Sequence, residues 1–325
     1  MKKYELMKET KVIGGKTLFR IRALRSFGDI KAGDLGGFIE NERNLSHEGN
    51  AWVGDNAQVG DNAEVSGYAR VGGNAWVGGN AWVRGYARVV GNSKVVDNAW
   101  VGGYAWVSDN AWVGDNARIG GYTAIEDNAQ VKDKAIVDGN ARVRGYARVE
   151  GNARVEDNAW VSDKAWVEDN AQVSGDAWVG GNARVVGNAW VGDNAKVGGC
   201  AWVGDEAWVI ENAVIEGNAK VDGDALVCGN AQVSGDARVN GDARVRGYAQ
   251  VSGDARVSGD ARVGGNARVS GDARVEGDAQ VVDNARVVGN AQVGGDAWVG
   301  GYARVGGDGL INSNNDYLCE QGLGS

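Results

Sequence analysis

The chain of 325 residues has no proline, one histidine, three cysteines, three phenylalanines and two methionines. Its threonines are only Thr10, Thr17 and Thr123, so ordered threonine ladders of the ice-binding kind are excluded. One histidine and three scattered cysteines cannot supply an ordinary zinc ligand set. Cys200, Cys228 and Cys319 are odd in number, which argues for free thiols of a cytoplasmic protein rather than a disulfide framework. No apolar core of a signal peptide follows Met1-Lys2-Lys3-Tyr4-Glu5, and no run is long enough to span a membrane. Glycine-rich corners are abundant, but none leads into a helix or a Lys-Ser/Thr pair, so phosphate loops are not indicated. No cofactor and no metal site is expected.

What is present is a six-residue phrase, Ala-x-Val-x-(Gly/Asp)-(Asn/Asp/Tyr), repeated without insertion or deletion from Ala51 to Val305. Stepping by six from Val53, every position is valine except Ile119, Ile125 and Ile215. Two residues earlier stands alanine, except at Ser93 and Thr123. Two apolar residues two apart point to one side of an extended segment and the residue between them to the other. Glycine, asparagine and aspartate tolerate left-handed backbone, so the other half of the hexad reads as a tight corner. Strand and corner at a fixed period are the signature of a solenoid.

The tyrosines set the size of the coil. Tyr68, Tyr86, Tyr104, Tyr122, Tyr248 and Tyr302 share an eighteen-residue grid, and Tyr146 alone among the repeat tyrosines is off it. Residues eighteen apart stack only if three hexads make one turn. The expected fold is all-β: a triangular parallel β-helix with 18 residues per coil, about 14 coils, and roughly 70 Å of length at the ~4.8 Å spacing of paired strands. The boundaries are an N-terminal β cap at 1–50, the repeat at 51–311 and a tail at 312–325, the last a short cap or the point where a further domain would follow.

Val113-Gly114-Asp115-Asn116-Ala117-Arg118, and Val53-Gly54-Asp55-Asn56-Ala57 with Gln58, resemble the hexapeptide repeat of left-handed parallel β-helices, the bacterial transferase hexapeptide superfamily. The left hand of a single-stranded helix is implied by that resemblance, since ordinary crossovers run the other way. The stretch Phe27 to Glu40, followed by Asn44-Leu45-Ser46, resembles the start of bacterial and phage-associated repeat proteins of the YdcK kind. The missing signal peptide leads to the expectation of a cytoplasmic protein, and that likeness implies, as the alternative, one delivered as a phage-encoded component.

Residues 1–50 break the hexad rule and hold all three phenylalanines, Phe19, Phe27 and Phe38. Leu18 to Leu24 alternates apolar and basic residues as a strand does, and Gly14-Gly15 predicts a hairpin turn after Lys11-Val12-Ile13. The formal charge is −9. It is unevenly placed, with the first fifty residues positive and the remainder more strongly negative. Acidic corners alternating with basic faces disfavour a simple polyanion surface and a nucleic-acid partner.

All thirteen tryptophans occupy the outward position between Ala and Val. Trp52, Trp106, Trp160 and Trp178 fall on one face, Trp76, Trp112, Trp166 and Trp202 on a second, and Trp82, Trp100, Trp190, Trp208 and Trp298 on the third. Trp82 with Trp100, Trp160 with Trp178 and Trp190 with Trp208 are expected to stack. Beyond Trp208 the same position becomes mainly arginine, from Arg238 to Arg304. Two readings stand side by side. The outward rows satisfy one another by aromatic and cation–π contact, with arginines leaning onto corner aspartates. Or the tryptophans from Trp52 to Trp208 form a surface that a second copy, another protein or a glycan covers.

Three functions follow. The first is a non-enzymatic scaffold that presents tryptophan and arginine ladders to a partner or to itself. The second is a carbohydrate-binding module with sugars stacked on tryptophan rows. The third, implied by the resemblance, is acyl transfer, which in that superfamily commonly uses a histidine base at a subunit cleft. The sole histidine, His47, precedes the repeat, and a base must lie within hydrogen-bond reach of its hydroxyl. Aspartates such as Asp236, Asp242, Asp254 and Asp260 recur at corners with a regularity that favours turn-making over paired general acid/base work, a cation on stacked carboxylates being the alternative.

Overall fold

Ala-x-Val is long enough for one short extended segment before the glycine or aspartate turns the chain. The computed structural model describes residues 2–312 and the backbone of 318–320. In it each hexad contributes a strand of the x-Val pair, as at Trp76–Val77 and Arg118–Ile119. The alanines and valines are buried almost without exception, and Ser93 and Thr123, which replace alanine, are buried too. Their hydroxyls donate back to Val90 O and Gly120 O, each at 2.8 Å, so neither polar group is left unsatisfied. At the corner the backbone enters the left-handed region, with Asp55 at φ 52°, Glu211 at 64° and Gly121 at 56°.

Backbone contacts divide the chain into two compact units, Met1–Asp163 and Lys164–Ser325. Within each, strands eighteen residues apart pair in parallel and in register. Val53 faces Val71 and Val71 faces Val89 in the first. Val185 faces Val203 and Val203 faces Val221 in the second. Each unit is therefore a β-solenoid with 18 residues per coil and three parallel sheets, as the tyrosine spacing requires. No described residue is α-helical; the one helical turn is a 3-10 turn at Glu42–Asn44.

The ladder has a direction. Amides point up to the carbonyls of the next coil, as in Gln58 N–H to Ala75 O at 2.9 Å and Gly60 N–H to Val77 O at 3.0 Å. The first coil thus shows a row of carbonyls with no coil beneath it, and a buried acceptor without a donor is costly. The N-terminal residues supply the donors. β1 (Tyr4–Ile13) and β2 (Lys16–Ala23) form an antiparallel hairpin whose turn is Gly14-Gly15, as expected. β3 (Leu35–Ile39) pairs antiparallel with β2 and parallel with Gln58–Val59. Phe38 N–H donates to Ala57 O at 2.8 Å, Glu40 N–H to Val59 O at 3.0 Å and Ser46 N–H to Val65 O at 3.0 Å. Asn44 Nδ2 donates to Ala63 O at 2.8 Å and Lys3 Nζ to Ala51 O at 2.9 Å.

The first strand runs back from the Gly14-Gly15 turn to Tyr4, and Leu35–Ile39 is a further strand that the sequence pattern did not indicate. The glycines are there for room: a Cβ on Gly37 would lie 2.4 Å from Ala57 O. Lys3 is fully buried, and burial first, then Arg25 and Arg70, pulls its ammonium down to about 8. Leu310–Ile311 forms the expected last hexad strand. The expectation for the 312–325 tail falls mostly outside the described residues.

Candidate functional site

The outward position of each hexad is where any interaction chemistry must sit, because the inward positions are filled by Ala and Val. A tryptophan there has a choice of rotamer, and a glycine two places on gives the ring room to fold down. Where that residue is glycine, the indole folds down onto it. A Cβ on Gly102 would lie 2.4 Å from Trp100 Cζ2, and one on Gly180 2.2 Å from Trp178 Cζ2. Gly78, Gly114, Gly192, Gly204 and Gly300 stand in the same relation to Trp76, Trp112, Trp190, Trp202 and Trp298. These tryptophans, together with Trp160 and Trp166, are half-buried. The three exposed ones, Trp82, Trp106 and Trp208, are followed two places on by Arg84, Ser108 and Ile210. Trp-Val-Gly thus marks a folded ring in the sequence, but Trp160 and Trp166, followed two places on by Ser162 and Glu168, are half-buried without it.

Two expectations for this row are corrected. Trp52 does not face solvent; it is 4% exposed, under the edge of Phe27 at 5.5 Å, because the N-terminal strands cover the first coil. Trp82 and Trp100 are in register but their rings do not stack. The Arg84 guanidinium lies over both, at 5.7 and 5.0 Å from the ring centres. A cation on the indole face is worth as much as an offset ring pair and leaves each ring free to fold. Trp190 and Trp208 do meet, edge to face at 5.1 Å, with Trp190 Nε1 donating to Ser174 Oγ at 2.9 Å. Elsewhere cations cover the rings: Arg88 over Trp106, Lys132 over Trp112, Arg144 over Trp160, and Arg184 over both Trp166 and Trp202.

The arginine rows of the second unit are in register and exposed, Arg238 with Arg256 and Arg274, and Arg268 with Arg286 and Arg304. They do not lean onto corner aspartates as expected: among the described residues no ion pair holds them. Guanidiniums at the middle of a flat face and carboxylates on its edge gain little from pairing in water. Asp242 and Asp260, noted among the recurring corner aspartates, belong to a column of six carboxylates at eighteen-residue intervals, Glu206, Asp224, Asp242, Asp260, Asp278 and Asp296, all exposed. Where the first unit has asparagine at this position the amides bond along the column, as Asn62 to Asn80 and Asn80 to Asn98, both at 3.0 Å.

Corner aspartates in left-handed backbone do more than turn the chain. Each carboxylate accepts the amide of the corner residue one coil on, which no carbonyl reaches. Asp55 takes Gly73 N–H at 2.8 Å, Asp127 takes Gly145 N–H at 3.0 Å and Asp283 takes Gly301 N–H at 3.0 Å.

The tyrosines of the first unit form a continuous exposed stack. Tyr68, Tyr86, Tyr104 and Tyr122 have ring centres 4.7 to 4.8 Å apart and planes within 11°. Beside them runs the row Arg70, Arg88, Trp106, and between the two lies a groove of about 400 Å3. A second hollow of about 440 Å3, between Trp52, Asp29 and Asp55, is closed on one side by the Arg70–Asp29 ion pair.

His47 belongs to the N-terminal strands' contact with the first coil. Its ring stacks on Tyr4 at 4.4 Å, and its Nδ1 accepts the Lys3 amide at 3.2 Å. Cys200 is exposed and Cys228 half-buried, neither in a disulfide. Among the described residues no three His, Cys, Asp or Glu side chains gather in a group able to hold a metal ion. No described helix is long and apolar enough to cross a membrane.

Comparison with known families finds one likeness. Residues 231–247, 249–265, 261–277 and 267–282 match the model of the YdcK beta solenoid repeat. No curated protein matches the chain.

Proposed function

We propose that the protein is a non-enzymatic scaffold, a rigid repeat body whose outward side chains are held at fixed spacing for a second copy or another protein. The observation that carries this reading is the absence of any insertion in the repeat, combined with the way glycine platforms and cations hold the outward indoles. Side chains already fixed lose little entropy when covered, which is what an interaction surface needs. Trp82, Trp106 and Trp208, the exposed three, are the best-placed contacts. Left-handed winding, descent from the hexapeptide-repeat superfamily and a cytoplasmic or phage-delivered setting are parts of the same proposal. Val113-Gly114-Asp115-Asn116-Ala117-Arg118 supports the first two. The occupied Nδ1 and stacked ring of His47 weigh against its service as the base of an acyl transferase.

The test is the absolute mass in solution by light scattering. We expect a whole multiple of 34.0 kDa, falling to 34.0 kDa when Trp82, Trp106 and Trp208 are together replaced by serine. A wild-type oligomer that the triple replacement leaves intact would remove the indoles from the interface.

Carbohydrate binding is a second reading, favoured at a different place from the tryptophan rows. Indole faces already covered by glycine and cations are closed to sugars, whereas the groove beside the tyrosine stack is open.

A further inference from the structure

The groove of the first unit, between the tyrosine stack and the Arg70–Arg88–Trp106 row, has an unusual lining. Every polar side chain in it can donate a hydrogen bond, and no carboxylate lines it. The hydroxyls of Tyr68, Tyr86 and Tyr104 have no hydrogen-bond partner among the described residues, and these tyrosines are 47, 47 and 51% exposed. Arg88 is exposed, lies 5.7 Å over Trp106 and forms no ion pair among the described residues. Arg70 gives one nitrogen to Asp29, while its Nη1 is buried without a partner.

Tyr86 and Tyr104 use both ring faces on their neighbours, and Tyr68 and Tyr122 each use one. What they offer outward is a row of positive ring edges and hydroxyls that repeats at every coil. That geometry closes the inner rings along the groove to ligands that bind by lying flat on aromatic rings, as the bases of single-stranded nucleic acid do. It suits a chain that runs along the coil axis, brings hydroxyls to the phenols and an anion to Arg88, whose planar fork takes a carboxylate in two bonds.

We propose that this groove binds a linear acidic polysaccharide, a sugar chain carrying carboxylates. The phenol row holds its hydroxyls, and Arg88, exposed beside it, takes the anionic groups. The proposal rests on the carbohydrate reading and moves it from the tryptophans to the tyrosines. It also accounts for four successive phenols at a position that elsewhere in the column holds mostly asparagine, with only the isolated Tyr248 and Tyr302 as further phenols.

Calorimetric titration of the full chain at low salt with a hexameric oligogalacturonate tests it. We expect saturable binding, with an uncharged glucan hexamer at least tenfold weaker. Arg88→Ala should weaken the uronate at least tenfold, because it removes a charge-assisted pair. Tyr86→Phe, which keeps the stacked ring and removes one hydroxyl, should weaken it severalfold, and Arg262→Ala on the second unit should leave it unchanged. All three side chains are exposed, so an unaltered melting curve will show that each variant is folded. Failure of the uronate to bind, or equal binding of the uncharged glucan, overturns the proposal. Uronate binding that survives Arg88→Ala overturns the groove while leaving the carbohydrate reading in place. A thymidine hexamer bound as tightly, and with the same dependence on Arg88, overturns the polysaccharide as occupant.

Discussion

At the corner of each hexad one residue must accept a positive φ and also leave its amide in need of an acceptor. Glycine meets the first demand and aspartate meets both, which explains why these two residues alternate there. Asp127 sits at φ 59°, and its carboxylate takes Gly145 N–H at 3.0 Å. A left-handed residue with a plain Cβ costs roughly 1–2 kcal/mol, and a lost hydrogen bond about 1 kcal/mol. Asp127→Ala keeps a Cβ in the left-handed region and loses the bond that offsets it, and should lower stability by about 1–2 kcal/mol. Asp127→Gly loses the bond but relaxes the backbone, and should cost about 1 kcal/mol or less. Urea denaturation should rank wild type above glycine above alanine; the reverse order of the two variants would show that backbone strain is not the larger effect. That these residues turn the chain was legible from their identity. That the aspartates reach up one coil was not, because the amide they satisfy lies eighteen residues away.

At the scale of the element, the N-terminal strands answer a need that the ladder's direction creates. Their position was legible from the break in the hexads, but the need for donors was not, since nothing in a single hexad tells which way its amides point. Lys3 is the exposed point of this arrangement chemically, although it is buried sterically. Its ammonium is pulled down to about 8, against an ordinary value near 10.5. Between those values the unfolded chain holds a proton that the folded chain has released, so folding is favoured increasingly as pH rises. Below about 8 both states are charged and the full cost of burying the ammonium is present. The Tyr4 phenol, pushed up mainly by burial, acts in the opposite sense once pH passes its ordinary value of 10.0. Amide exchange in β1, β2 and β3 should slow, at constant intrinsic rate, as pH goes from 8 to 10. Lys3→Met should flatten that dependence. A slope that persists in the variant would assign it to another group.

Over the molecule as a whole, charge is the term that repetition amplifies. A solenoid places whatever stands at one corner directly over its copy in the next coil, so a favourable pair and an unfavourable one are both multiplied. With asparagine the result is the amide column of Asn62, Asn80 and Asn98. With aspartate it is a column of like charges on a chain already at −9. Like charges directly opposite across a strand pair destabilise by a few tenths of a kcal/mol each. Asp242→Asn, Asp260→Asn and Asp278→Asn combined should raise the melting temperature by a few degrees at low salt, and by less at high salt as screening removes the repulsion. A triple variant that melts at or below the wild type would mean that the carboxylates already have counter-charges.

The sequence by itself determined the period, the coil of three hexads, the inward alanines and valines, the left-handed corners and the hairpin turn at Gly14-Gly15. These follow from spacings of two, six and eighteen that the chain repeats without interruption, and no distant contact can override them. Only the tertiary structure decided what the outward residues do. Trp100 lies on its glycine under Arg84 instead of against Trp82, Trp52 is buried beneath Phe27, and the tyrosines close their faces to leave an open groove beside Arg88. An outward side chain has several rotamers of similar energy. Its choice among them is made by neighbours in the coils above and below, which the local pattern of its own hexad does not contain.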